Sequence, residues 1–426
     1  MTRTICIAVV ALAAFGPAQA QLRGHGGPVR ALAVTADGQT AVSGSFDETV
    51  IRWSLARDAA LQVMRFHDGS VNAVAILDDG RIATAGQDRR VALWTPGADQ
   101  PATVLTGHEA PVVALAGSPD GKWLASASWD HTVRLWPLAG GTARVLSGHA
   151  QNVNGVAFAP DSRAVVSAGY DQTLRIWPLA GGAPVIVTLP SPLNAVAIAL
   201  DGEIVTGGAD GKVYFVSPAG EVRGALAASD TPIIAIALSR DGARVAAAGV
   251  RGAVAIIDRA TRRVTHTLVG PGLPVWSAAF LPDNRTLLTG GTDRMIRRWD
   301  GVTGEPMSGI AVGETEDTLA QYAGDHGAEV FRACIACHTL RADTTNRAGP
   351  TLAGVFGRHI ASVPGYRYSA ALKKLDIVWT AATIAKLFEI GPATYTPGTK
   401  MPEQTIGSAA DREALVEFLE RATKSH

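Results

Sequence analysis

At 426 residues the chain is too long for one ordinary core, and its length suits about two to three domains. Lysine plus arginine and aspartate plus glutamate stand equal at 38 each, which removes the electrostatic case for nucleic acid or an anionic lipid surface as a main partner. An aromatic content of 6% against 46 glycines suits many short strands joined by turns.

Residues 1–20 read as a secretory signal, with Arg3 in a short basic start, an apolar run from Ile5 to Phe15 and Ala18-Gln19-Ala20 as a small-residue cleavage site. The run falls well short of the ~20 residues of a spanning helix, so removal rather than anchoring is expected. The mature chain then begins near Gln21, in a bacterial periplasm and with no membrane anchor. Cys6 lies in the signal without the small-residue context of a lipoprotein site, so Cys334 and Cys337 are the cysteines that remain. Thiols three apart make a poor structural staple and suit attachment to something else.

From about residue 22 to 312 the sequence repeats every 39 to 42 residues, the range of propeller blades. An aspartate recurs at Asp47, Asp88, Asp130, Asp171, Asp210 and Asp293, and Arg251 fills the slot between the last two, making seven repeats. Six residues after each come Trp53, Trp94, Trp136, Trp177, Val216, Ile257 and Trp299, and four before each come Ser43, Thr84, Ser126, Ser167, Thr206, Ala247 and Thr289. His25, His67, His108 and His149 open the first four repeats. Apolar or alternating runs such as Val29 to Val34 and Ile233 to Leu238, with turns such as Asp37-Gly38 and Asp120-Gly121, read as the strands between.

These marks resemble the WD-repeat family, carried by Gly107-His108, the aspartates and the tryptophans. The resemblance implies a seven-bladed all-β propeller in which His, Ser/Thr, Asp and Trp satisfy one another in each blade. The set is complete in repeats one to four; repeat five lacks His and Trp, repeat six lacks all four residues and repeat seven has no His. Residues 305 to 312 can supply an outer strand after Trp299, so the N-terminus is not required to complete the last blade.

Residues 313–321, polar and acidic, read as a linker from the propeller (21–312) to a second domain (322–426). There the period changes: Gly324 to Ala336 and Arg412 to Ala422 read as amphipathic helices. Cys334-Ile335-Ala336-Cys337-His338 is the pattern in which two thiols add to the vinyl groups of a haem and the adjacent imidazole reaches the iron. A zinc site would need further ligands, which His359 and His426 offer at poor spacing. Met401, in Thr396-Pro397-Gly398-Thr399-Lys400-Met401, can be the second axial ligand on a rigid turn, or a core methionine.

Residues 322 to 426 as a whole resemble the mitochondrial-type class I cytochromes c, an all-α fold with one covalent haem c. The resemblance implies that Gly327 and Phe331 let the first helix cross the last near Leu415, Phe418 and Leu419, and that the Pro350 carbonyl accepts from the His338 ring. It also places Arg358, Tyr366, Tyr368 and Trp379 around the haem propionates, and Thr399 as support for the Met401 loop. Phe388 stands where that family usually has a tyrosine near the methionine sulfur.

His and Met ligation favours one-electron shuttling over binding of oxygen or peroxide. The expected function is therefore electron transfer between a redox donor and acceptor protein, not catalysis, with the propeller docking a protein partner. Lys373, Lys374, Lys386 and Lys400 offer a modest positive field for an acidic partner, or serve only as solubilising charges. Two rivals are a redox enzyme whose propeller binds substrate with the haem as acceptor, and a haem sensor whose iron opens when Met401 leaves.

Overall fold

A computed structural model describes residues 21–251, 253–269, 274–307, 319–331, 334, 338–341, 349–364, 366, 368–369, 371–397, 399, 401 and 405–424. The expected signal, most of the linker, Cys337, Lys400 and His426 lie outside them. Among the described residues no helix is long and apolar enough to cross a membrane.

The repeat becomes seven four-stranded antiparallel sheets. Blade 1 is Val29–Val34, Thr40–Ser45, Thr49–Ser54 and Ala59–Arg65, and the next five follow in the same order. The second strand of each blade is buried along nearly its whole length, which explains its small and β-branched residues. At the turn after it, the residue following the repeat aspartate is left-handed without being glycine: Glu48, Arg89, His131, Gln172 and Arg294 have φ of 65–71°. The aspartate sustains this conformation by accepting from the amide two residues on, as Asp47 Oδ1 does from Thr49 at 2.9 Å.

The ring closes differently from the expectation that residues 305–312 supply the last outer strand. Gln21–Arg23 takes that place, antiparallel to Met295–Asp300, with Leu22 opposite Ile296. Leu22 is 1% exposed among Ile51, Trp53, Leu288 and Ile296, so it ties the last blade to the first. Pro306 reaches Trp299 only in an isolated bridge, and a proline has no N–H to extend a ladder.

In blades 1 to 4 the expected networks are present. His25 Nδ1 donates to Asp47 at 3.1 Å, His25 Nε2 lies 2.7 Å from Ser43 Oγ, and Trp53 Nε1 donates to Ser43 at 2.7 Å. Burial works against the Asp47 carboxylate, but the His25 ring and the Thr49 hydroxyl and amide overcome it and bring its pKa to about 2. Blade 5 compensates for its missing His and Trp: the Tyr214 hydroxyl donates to Asp210 at 2.7 Å, and the Asp210 amide donates to Ser191 Oγ.

The C-terminal domain packs α1 (His326–Phe331), α2 (Ala381–Ile390), α3 (Pro392–Tyr395) and α4 (Ala409–Ala422) on one core. Among the described residues α1 starts later than the expected Gly324, with Asp325 accepting from the Ala328 amide at 3.1 Å. The helix α4 starts earlier than Arg412, capped by Ser408. Leu319, read from sequence as linker, is 1% exposed in this core, so the domain begins before residue 322. The expected crossing is made by Gly327: a Cβ there would stand 2.1 Å from the Ala414 carbonyl oxygen of α4. That contact lets Phe331 lie 5.4 Å from Phe418, ring to ring.

Candidate functional site

A cavity opens beside this core, walled by apolar side chains that include Phe331, Val355, Ile384, Leu387, Leu415 and Leu419. The helical part of the wall comes from amphipathic faces: Ile384, Leu387 and Phe388 share one side of α2, and Leu415 and Leu419 one side of α4. Cys334, His338 and Met401 line the same space.

His338 is held from two sides. Its amide donates to the Cys334 carbonyl at 3.0 Å, and its ring Nδ1 donates to the Pro350 carbonyl at 2.7 Å, which makes Nε2 the nitrogen a metal would take. Gly349 lies against the ring so closely that a Cβ would meet Cε1 at 2.4 Å. Cys334 is buried, and burial pushes its thiol up to about 11. The Met401 amide donates to Thr399 Oγ1 at 3.1 Å, and the Thr399 amide to the Thr396 carbonyl at 3.0 Å, so the short loop after α3 is braced from within.

Arg358 and Trp379 flank an isolated antiparallel bridge between His359 and Val378: the Trp379 amide donates to the Arg358 carbonyl at 2.9 Å, and the Gly357 amide to the Trp379 carbonyl at 2.8 Å. The Arg358 guanidinium donates to the Ala353 and Thr351 carbonyls, both at 2.7 Å, and burial lowers its pKa. Tyr366 and Tyr368 stand edge to face, 4.7 Å between centroids. All four line the cavity, as do Pro350 and Thr399. Phe388 is buried on the wall and offers no hydroxyl there. His359 is drawn to Asp376 at 2.8 Å rather than into a ligand cluster.

An apolar slot with the oriented His338 imidazole, the Met401 thioether and the Cys334 thiol on its wall fits a flat apolar macrocycle with a metal at its centre. Comparison with known proteins agrees. Residues 324–423 match the family profile "Cytochrome c". They are similar to the cytochrome c of Cochliobolus lunatus, 43% identical over 99 residues, which is 23% of this chain and 91% of that protein. Cytochrome c of Arabidopsis thaliana is 40% identical over 112 residues, 26% of this chain and 99% of that protein. Cytochrome c2 of Rhodoplanes tepidamans is 42% identical over 93 residues, 22% of this chain and 86% of that protein.

Through its C-terminal domain the chain belongs to the cytochrome c family.

The cytochrome c domain implies haem c as cofactor and haem-based electron transfer as its function. The profile "WD domain, G-beta repeat" matches residues 16–54, 59–95, 99–137, 140–178 and 262–300, which correspond to repeats one to four and seven. It passes over the two blades whose histidine and tryptophan marks are lost. The protein is thus a WD-repeat propeller fused to a cytochrome c.

Sequence reasoning did not single out Ile384 and Leu387, although their spacing on a Thr380-capped segment was a helix signal. It also missed the propeller side of the cavity, where Gly26, Asp47, Thr49 and Arg65 of blade 1 complete the wall. No pattern within one chain marks a contact between two of its domains.

Proposed function

We propose that this protein is a periplasmic one-electron carrier, with one haem c bound through thioethers from Cys334 and Cys337 and ligated by His338 and Met401, and with the propeller docking a protein partner. The observation that carries the reading is the convergence of Cys334, His338 and Met401 on one apolar cavity, with the His338 ring oriented by Pro350. Bound there, haem c supplies a one-electron iron couple. The chain's residues do the rest: Pro350 holds the imidazole tautomer, Thr399 braces the methionine loop, and the α2 and α4 faces exclude water. Lys373 and Lys374 sit together on one short turn, whereas Lys386 is paired with Glu389 at 2.9 Å, so the positive field for an acidic partner rests on the first two among the described residues.

The test is the intact mass of chain exported to a bacterial periplasm that carries a haem-attachment system. One added haem mass, retained in denaturant and absent when both Cys334 and Cys337 are serine, supports covalent attachment. A haem that denaturant strips away overturns it, and carbon monoxide binding to the resting reduced protein at neutral pH moves the function to sensing.

A further inference from the structure

The blade that reaches the cavity brings a charge to it. Arg65 ends the outer strand of blade 1, opposite Thr49 in the ladder. Its guanidinium carbon lies 5.3 Å from the centroid of the Tyr366 ring, and its Nη2 donates to the Tyr366 hydroxyl. Tyr366 in turn packs on Tyr368, so a continuous chain of contacts runs from the propeller into the cavity wall. Burial pushes the Tyr368 hydroxyl up, against the pull of a hydrogen bond with the Val363 backbone and of the Arg358 and Arg65 charges, so Arg65 stands close enough for its charge to bear on a second residue of the wall.

Other charges on the wall are engaged locally. The Arg358 guanidinium donates to two backbone carbonyls of its own loop. The Asp47 carboxylate accepts from His25, from the Gly26 amide and from the Thr49 hydroxyl and amide. Arg65 is the only cation that the propeller contributes to the lining among the described residues, and its partner there is neutral.

We infer that Arg65 is a positioning residue of the electron-transfer site, supplied by the propeller: it holds Tyr366 on the cavity wall and puts a positive charge at its edge, so that the propeller helps set the redox potential of the cytochrome. A nearby positive charge favours whichever state of the bound group carries one more electron, here the reduced one. The inference rests on the haem c reading above. It also gives the fusion a physical purpose beyond tethering, since docking of blade 1 becomes part of the cofactor's environment.

The experiment is a spectroelectrochemical titration of the intact, haem-loaded full chain, comparing wild type, Arg65→Gln, Arg65→Lys and Arg163→Gln. Arg163 in blade 4 has a side chain 87% exposed and serves as the remote charge control. For a half-buried cation, Arg65→Gln is expected to lower the equilibrium constant for reduction about threefold, which is about 28 mV for a one-electron couple at 59 mV per tenfold. Arg65→Lys keeps most of the potential and Arg163→Gln leaves it unmoved. A loss of stability in Arg65→Gln with an unchanged potential makes the contact structural and overturns the inference. If that variant does not load haem, Tyr366→Phe decides: it removes the hydroxyl that anchors Arg65, and a potential equal to wild type overturns the inference. Wild-type chain without covalent haem instead defeats the underlying reading, so the two failures are told apart.

Discussion

Replacing Gly327 by alanine tests whether the α1–α4 crossing holds the cytochrome domain together. The added Cβ would stand 2.1 Å from the Ala414 carbonyl oxygen and 2.6 Å from the Phe418 Cβ. Both neighbours are rigid parts of α4, so no rotamer change relieves the clash and the helices must separate by roughly 1 Å. Overpacking of this kind costs about 1–3 kcal/mol. Separation also weakens the Phe331–Phe418 and Tyr322–Phe418 ring contacts, at 5.4 and 5.0 Å, worth about 1 kcal/mol each. Alanine returns about 1 kcal/mol through its better helix propensity. The net loss is about 3 kcal/mol, or roughly a hundredfold in the ratio of folded to unfolded domain. Guanidinium unfolding followed at the haem absorbance band reads this domain alone. Gly407→Ala is the control, because a Cβ there meets nothing within 4 Å and its effect should stay within about 0.5 kcal/mol. A Gly327→Ala midpoint no lower than that of Gly407→Ala would refute the reasoning.

Asp47→Asn should destabilise the propeller by roughly 2 kcal/mol at neutral pH, the linkage value of a carboxyl whose pKa falls from 3.8 to about 2 on folding. Because the folded pKa is depressed, this stability is present above about pH 4 and lost as pH falls toward 2. The gap between wild type and variant in urea unfolding, read by tryptophan fluorescence, should therefore close over that window; a gap that stays constant contradicts the assignment. Gly349→Ala pushes a methyl against the His338 ring, where a Cβ would lie 2.4 Å from Cε1, and should break the Nδ1 bond to Pro350. Haem-loaded chain is expected to fall about tenfold, the usual scale for loss of a group that orients a metal ligand; unchanged yield and spectrum count against the Pro350 role.

Much of the fold was legible because each blade repeats its own solution. Asp47, Trp53 and Ser43 recur at one offset, and a recurring buried polar set announces a repeat more reliably than any single strand does. Ring closure was not legible, since three residues, Gln21 to Arg23, carry too little pattern to read as a strand. Leu22 is fixed only through neighbours at the far end of the propeller sequence, such as Ile296. At the pocket, Cys334, His338 and Met401 stood out by residue type, and the Pro350 carbonyl by family resemblance. Arg65 did not, because nothing about an arginine at the end of an edge strand distinguishes it from a solvated charge until Tyr366 is found beneath it.

On the proposed function, His338 and Met401 ligate one low-spin haem c that shuttles an electron. The most direct test is the reduced-minus-oxidised spectrum of the purified full chain beside its Met401→Ala variant. A low-spin c-type spectrum is expected in wild type, and loss of the methionine-to-iron charge-transfer band in the variant, with the covalent haem kept. A high-spin wild type, or a variant whose band is unchanged, contradicts it.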